Sequence, residues 1–145
     1  KKLEKEQIKS KVRRKEIETL IEDLNLEDRV KLWGIRSDIP ELLKTSDVIV
    51  MSSRYEGLSL SSIEGMAVDK PFIASDVKGL HETTIGAGIL FPYQDDKRLA
   101  EEIKKLIEDK EYYHQVAKKC YERAMLFDIS KTVEGYCDIY KHIML

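Results

Sequence analysis

An α/β fold, a mainly parallel sheet flanked by helices, is predicted by three features of the sequence. Short apolar runs, "VKLWG", "DVIVMSS", "PFIAS" and "GAGILF", recur between segments with helical periodicity. The run "DVIVMSS" from Asp47 is apolar without alternation, which suits a strand of a parallel sheet covered on both faces. Strand-sized runs alternating with helices build βαβ units with right-handed crossovers. Ligands of such sheets bind outside the carboxyl ends of the strands. The residues that follow successive runs, Gly34, Glu56 and Asp76, are therefore expected on one rim.

The elements follow in order. "KKLEKEQIKSKVRRKEIETLIEDLNLEDR" has helix-forming composition, and Ile17, Leu20, Ile21 and Leu24 lie at i, i+3, i+4, i+7 spacing. Leu3, Ile8 and Val12 fall out of phase with that stripe, so residues 1–12 are expected as a separate or frayed segment. Its interleaved lysines and glutamates read as a solvated charged face. "VKLWG" from Val30 is the first strand candidate, and "SDIPELLKTS" a short helix with Ser37 or Asp38 as N-cap and Pro40 in its first turn. After the "DVIVMSS" strand a helix is expected from about Ser59 to Val68, stopped by Asp69-Lys70-Pro71. "PFIAS" is the third strand, "DVKGLHETT" a loop with a helical turn, and "GAGILF" the fourth strand. Three helices close the chain, the last capped by Ser130 and carrying Val133, Tyr136, Cys137, Tyr140 and Ile143.

The 145 residues fit one domain, 1–145. A hydrophobic content of 42% with 36% charged residues is globular, and a net charge of -2 gives no general attraction to nucleic acid. No apolar run approaches the ~20 residues that span a bilayer, so a cytoplasmic location is expected. Cys120 and Cys137 are read as buried reduced thiols, and His81, His114 and His142 are too scattered for a metal cluster.

The stretch "SSRYEGLSLSSIEGMA" places Glu56 before a helix and Glu64 inside it. At ~1.5 Å per helical residue the two carboxylates should stand on the order of 10 Å apart, too far for a dyad acting on one atom. Gly57 and the small Ser59, Ser61 and Ser62 allow close approach to the first N–H groups of the helix, where phosphate is favoured. Ionised carboxylates accept hydrogen bonds, which suits ligand hydroxyls at either end of a diphosphate. For an arbitrary pair of glutamates, a helix-terminus acid and a surface ion-pair partner would suffice. Against that, Glu64 sits between Ile63 and Met66-Ala67, in a stretch apolar enough that a carboxylate needs a partner.

"SRYEGLSLSSIEGMAVDKPFIASDVKGLHE" resembles the C-terminal, donor-binding domain of retaining GT-B glycosyltransferases of the large fourth family. That family's motif is Glu, seven residues, Glu, then an apolar helix, a Lys-Pro turn and a strand, and Glu56 and Glu64 fit its spacing. The flanks "RVKLWGIRSDIPELLKTSDVIVMSS" and "GAGILFPYQDDKRLAEEIKKLIED" resemble the segments before and after it, so the likeness runs from about Arg14 to Asp128. It implies a Rossmann-like half of a GT-B fold and a hexosyltransferase-like activity. The substrate would be a nucleotide-diphosphate-sugar of UDP, GDP or ADP type, with retained anomeric configuration, no cofactor and no obligatory metal. By position, Glu56 is the catalytic candidate at the donor sugar, and the amides of Gly57, Leu58, Ser59 and Leu60 approach sugar and diphosphate. Glu64 would accept from the ribose, and Gly34, Ile35 and Arg36 would hold the base. Arg36 has an ordinary alternative as a surface partner of Asp38, and Trp33 is expected to pack in or cap the core rather than stack on the base. Tyr55, Asp76, His81 and Glu82 are read as rim residues without an assigned contact.

Two departures bear on this. The family's domain begins with a strand, a glycine-rich loop and basic residues for the diphosphate, whereas the first glycine here is Gly34. The family's acceptor-binding N-terminal domain has no counterpart in these residues. The chain is accordingly expected to be a fragment, inactive alone, whose partners are the nucleotide sugar and that missing domain. In the full-length enzyme, polysaccharide or glycoconjugate biosynthesis at the inner face of the membrane is implied. The last helix is expected to pack toward the missing domain and, without it, to cause self-association. Two other readings stay open: a non-catalytic nucleotide-binding or interaction module on the same scaffold, and a nucleotide-sugar epimerase.

Overall fold

The computed structural model describes residues 2–144, with side chains from residue 11 onward. The chain divides into two compact units, Lys1–Ser37 and Asp38–Leu145, each described by itself.

The first unit is helix α1 (Lys2–Asp23) and the segment after it. The helix runs unbroken through residue 12, contrary to the separate segment expected there. The Lys/Glu-rich turns are good helix formers, and local propensity needs no continuous apolar stripe. Asn25, at φ 53°, ends the helix in the left-handed conformation, and Leu26 N–H donates to Ile21 O at 2.9 Å. Arg14 Nε donates to Glu18 Oε1 at 2.8 Å, one turn along the helix. Residues 30–33 are not a strand, correcting the expectation for "VKLWG". A strand needs a ladder partner, and the described residues of this unit include no strand for the run to pair with.

The second unit begins with α2 (Ile39–Thr45), which has Asp38 in the N-cap position and Pro40 in its first turn. Strands β1 (Ile49–Met51), β2 (Phe72–Ser75) and β3 (Ile89–Phe91) form a parallel sheet in the order β1-β2-β3. The register pairs Val50 with Ile73 and Ala74 with Leu90. Helix α3 (Leu60–Met66) joins β1 to β2, and α4 (Lys78–Thr84) joins β2 to β3. The helical turn expected in "DVKGLHETT" is thus a full short helix. Helices α5 (Asp96–Glu108) and α6 (Lys110–Met125) complete the layer, with α5 against β3, and α6 against α3, α5 and β2.

The core gathers Ile49, Met66, Phe72, Ile73, Leu80, Phe91, Leu106, Val116 and Cys120. All four residues of β2 are buried, as a central parallel strand requires. β1 departs from the two-faced burial expected of it: Val50 is 39% exposed, whereas Ile49, on the other face of the strand, is buried.

Helix α7 (Ile129–Ile143) is capped by Asp128, whose carboxylate accepts from Ser130 N–H at 2.8 Å, so the cap lies two residues before the expected Ser130. No residue of α7 is buried, and Cys137 is exposed on it, correcting the expectation of a second buried thiol. No helix among the described residues is long and apolar enough to cross a membrane.

Candidate functional site

The carboxyl end of β1 opens into the loop Ser52–Ser59, and that loop is held by side chains rather than by length alone. Ser75, the last residue of β2, donates from its buried hydroxyl to the Ser53 carbonyl at 2.6 Å. Ser53 Oγ–H in turn donates to Glu56 Oε1 at 2.8 Å. A half-buried carboxylate is thereby fixed at the mouth of the sheet, with its remaining acceptor positions available to a ligand. Ser59 is the N-cap of α3: its hydroxyl accepts from Ser62 N–H at 3.3 Å and lies 3.9 Å from Met51 Sδ. The hydroxyl is buried and committed to the cap, so any approach of a ligand here is to backbone. Helix geometry leaves the Leu60 and Ser61 N–H groups without an intrahelical acceptor, while the Leu58 and Leu60 side chains are 73% and 67% exposed.

The adjacent loop, at the carboxyl end of β2, carries Asp76 into α4. Asp76 N–H donates to Phe91 O at 2.7 Å, and its carboxylate Oδ1 lies 2.6 Å from His81 Nδ1. Gly79 brings the two loops into contact. A Cβ at this position would lie 1.9 Å from Gly57 O and 2.4 Å from Glu56 O, so only glycine lets α4 seat against the backbone that carries Glu56. Behind this contact, Ser62 and Thr83 share a buried hydroxyl–hydroxyl hydrogen bond of 3.0 Å. Arg123 of α6 donates to Thr83 O at 3.0 Å and Glu82 O at 2.9 Å, tying down the last turn of α4.

Of the residues singled out from sequence, Glu56, Gly57, Leu58 and Ser59 lie on the continuous loop between β1 and α3, and Leu60 is the first residue of α3. Asp76 and His81 belong to the next loop and helix of the same sheet. Glu64 is on α3 but exposed, so its apolar sequence neighbours do not force a buried partner on it. The helix buries Ser62, Gly65 and Met66 and turns Glu64 to solvent. Gly34, Ile35 and Arg36 lie in the first unit and do not follow a strand. Gly34 has φ 68° and Ile35 is fully exposed. Trp33 is 59% exposed rather than packed in a core, with the Arg36 guanidinium carbon 5.5 Å from its ring centroid.

Sequence reasoning missed Ser53, Ser75, Gly79 and Arg123. Only Gly79 carried a signal, as a glycine inside a helical pattern. Among the described residues no group of three or more His, Cys, Asp or Glu side chains could hold a metal ion.

The family model described as glycosyl transferases group 1 matches residues 10–123. EpsD of Bacillus subtilis is 35% identical over 129 residues, which are 88% of this chain and 34% of that protein. The N,N'-diacetylbacillosaminyl-diphospho-undecaprenol alpha-1,3-N-acetylgalactosaminyltransferase of Campylobacter jejuni is 32% identical, over 79% of this chain and 31% of that enzyme. The chain thus spans about a third of the length of these relatives. Among solved structures, HepE of Anabaena in complex with UDP superimposes with a TM-score of 0.82 at 28% identity, over 88% of this chain and 36% of that one. The same protein in complex with UDP-glucose gives a TM-score of 0.80.

Proposed function

Because the chain belongs to the glycosyl transferases group 1 family, we propose that it is the donor-binding part of a glycosyltransferase, taking a nucleotide-diphosphate-sugar. The observation that carries this reading is the Glu56 carboxylate, anchored by Ser53 at the carboxyl end of β1, directly before the start of α3. An anchored acceptor beside free backbone N–H groups suits sugar hydroxyls next to a diphosphate. Similarity to a protein that binds UDP and UDP-glucose supports the same ligand class.

In this reading Glu56 is the catalytic residue that accepts from hydroxyls of the donor sugar, and the backbone of Gly57, Leu58, Ser59 and Leu60 faces sugar and diphosphate. Glu64, being exposed, is free to accept from the ribose. For the first unit, the same reading gives the base to Gly34, Ile35 and Arg36. Transfer breaks the bond between the anomeric carbon and the diphosphate oxygen and forms one to an acceptor oxygen with retained configuration. Nucleoside diphosphate leaves, and the proton of the acceptor hydroxyl passes to the leaving diphosphate oxygen. The reading includes no metal requirement, an acceptor domain outside these residues, a role in polysaccharide or glycoconjugate biosynthesis, and a cytoplasmic location at the inner face of the membrane.

The test is a thermal-shift panel of UDP-, GDP- and ADP-sugars on the longest natural chain that contains these residues, followed by donor hydrolysis and NMR of the product anomer. One nucleotide class should raise the melting temperature, since ligand selects the folded state. Glu64→Ala should weaken binding of that nucleoside diphosphate by about 1 kcal/mol or more, the loss of a hydrogen bond to a charged group. Binding without any turnover would favour a non-catalytic module, and binding indifferent to Glu64→Ala would remove the ribose role.

A further inference from the structure

The Asp76–His81 pair has no duty in the reading above, yet it stands beside the Glu56 loop. Gly79, two residues before His81, is seated on the carbonyls of Glu56 and Gly57, so the first turn of α4 borders the proposed sugar position. His81 Nδ1 is 2.6 Å from Asp76 Oδ1. A carboxylate at that distance only accepts, so in the neutral ring the proton resides on Nδ1 and Nε2 carries a lone pair. The side chains are 42% and 47% exposed, which leaves the pair open to a ligand. It does not close a core contact.

We propose that His81 is a specificity-determining residue for the sugar moiety, its Nε2 accepting a hydrogen bond from a sugar hydroxyl, and that Asp76 is a positioning residue that fixes the tautomer. The proposal rests on the donor-binding reading and extends it to a second acceptor on the sugar, opposite in origin to Glu56: one comes from the β1 loop, the other from α4. An acceptor held in one tautomer by Asp76 discriminates hydroxyl arrangement on the sugar.

The experiment measures binding of UDP, GDP, UDP-glucose, UDP-N-acetylglucosamine and GDP-mannose to the longest natural chain containing these residues and to its variants, with melting temperatures in parallel. His81→Gln retains an acceptor near the Nε2 position, and affinity for the sugar nucleotide should stay within about twofold. His81→Asn and Asp76→Ala should each weaken it about fivefold, the loss of one hydrogen bond, while the matching nucleoside diphosphate changes less than about twofold. Ring-nitrogen NMR should place the neutral proton on Nδ1, and Asp76→Ala should abolish that preference. Equal weakening of nucleotide and sugar nucleotide, or no weakening of either, overturns the proposal and leaves the donor-binding reading standing. Failure of the unmodified protein to bind any of the five probes or an ADP-sugar overturns the donor-binding reading, and this proposal with it.

Discussion

Ser53 Oγ–H donates to Glu56 Oε1 at 2.8 Å, while the Ser53 carbonyl accepts from Ser75 at 2.6 Å. The two bonds make one chain from the central strand to the candidate catalytic carboxylate. In the longest natural chain that contains these residues, Ser53→Ala should therefore lower sugar-nucleotide turnover about fivefold, the equivalent of about 1 kcal/mol for one hydrogen bond to a partly exposed carboxylate. Urea unfolding should change little. Glu56→Gln should lower turnover further at unchanged stability. A Ser53→Ala protein with normal turnover would show that Glu56 is held by other contacts.

Gly79→Ala should destabilise the second unit by about 2 kcal/mol or more. The new Cβ falls on backbone oxygen rather than on a flexible side chain. Either α4 shifts or the Glu56 loop does, so binding of the sugar nucleotide should fall along with the urea midpoint. An unchanged midpoint would mean that the two loops are not locked together.

Cys120 lies fully buried in the core, and burial pushes its thiol up to about 11, against an ordinary value of 9.0. In the unfolded chain the thiol ionises first, so the unfolded state holds fewer protons between these values. Stability from this group is complete below about pH 9 and declines as pH rises toward 11. The decline should be shallower in Cys120→Ala when unfolding is followed across that range. At pH 8 iodoacetamide should modify the exposed Cys137 and spare Cys120 in the folded protein; equal labelling of both would contradict the burial.

Helix α7 presents Val133, Tyr136 and Tyr140, exposed by 53%, 59% and 59%, on one face, with Ile129 and Ile143 continuing it. An apolar stripe of this length drives association when left in water. The 145-residue chain should show a concentration-dependent rise in molar mass by light scattering, reduced by Val133→Glu with Tyr140→Glu. Constant monomer mass across the range would show that this face is tolerated in solvent.

Much of the second unit was legible because its signals are local. Apolar runs bounded by Ser, Pro and Gly gave β1, β2 and β3 within a few residues. A cap such as Ser59 acts within one turn of its own helix. The spacing of Glu56 and Glu64 also survives in any helix that starts near Ser59. The run Val30–Trp33 shows where local reading stops. Its apolar composition permits a strand, but pairing depends on a partner that the run itself does not contain.

By itself, then, the sequence determined the alternation of strands and helices, the family, and the stretch on which the candidate site stands, because periodicity, capping and motif spacing act over a few residues. Only the tertiary structure decided that Glu64 faces solvent, that Ser53 and Ser75 steady Glu56, and that Gly79 and Arg123 fix α4. Arg123 reaches Thr83 across 40 positions and Ser75 reaches Ser53 across 22. Such contacts form only once the sheet has brought distant segments together, and burial is likewise a property of the packed set rather than of any one residue.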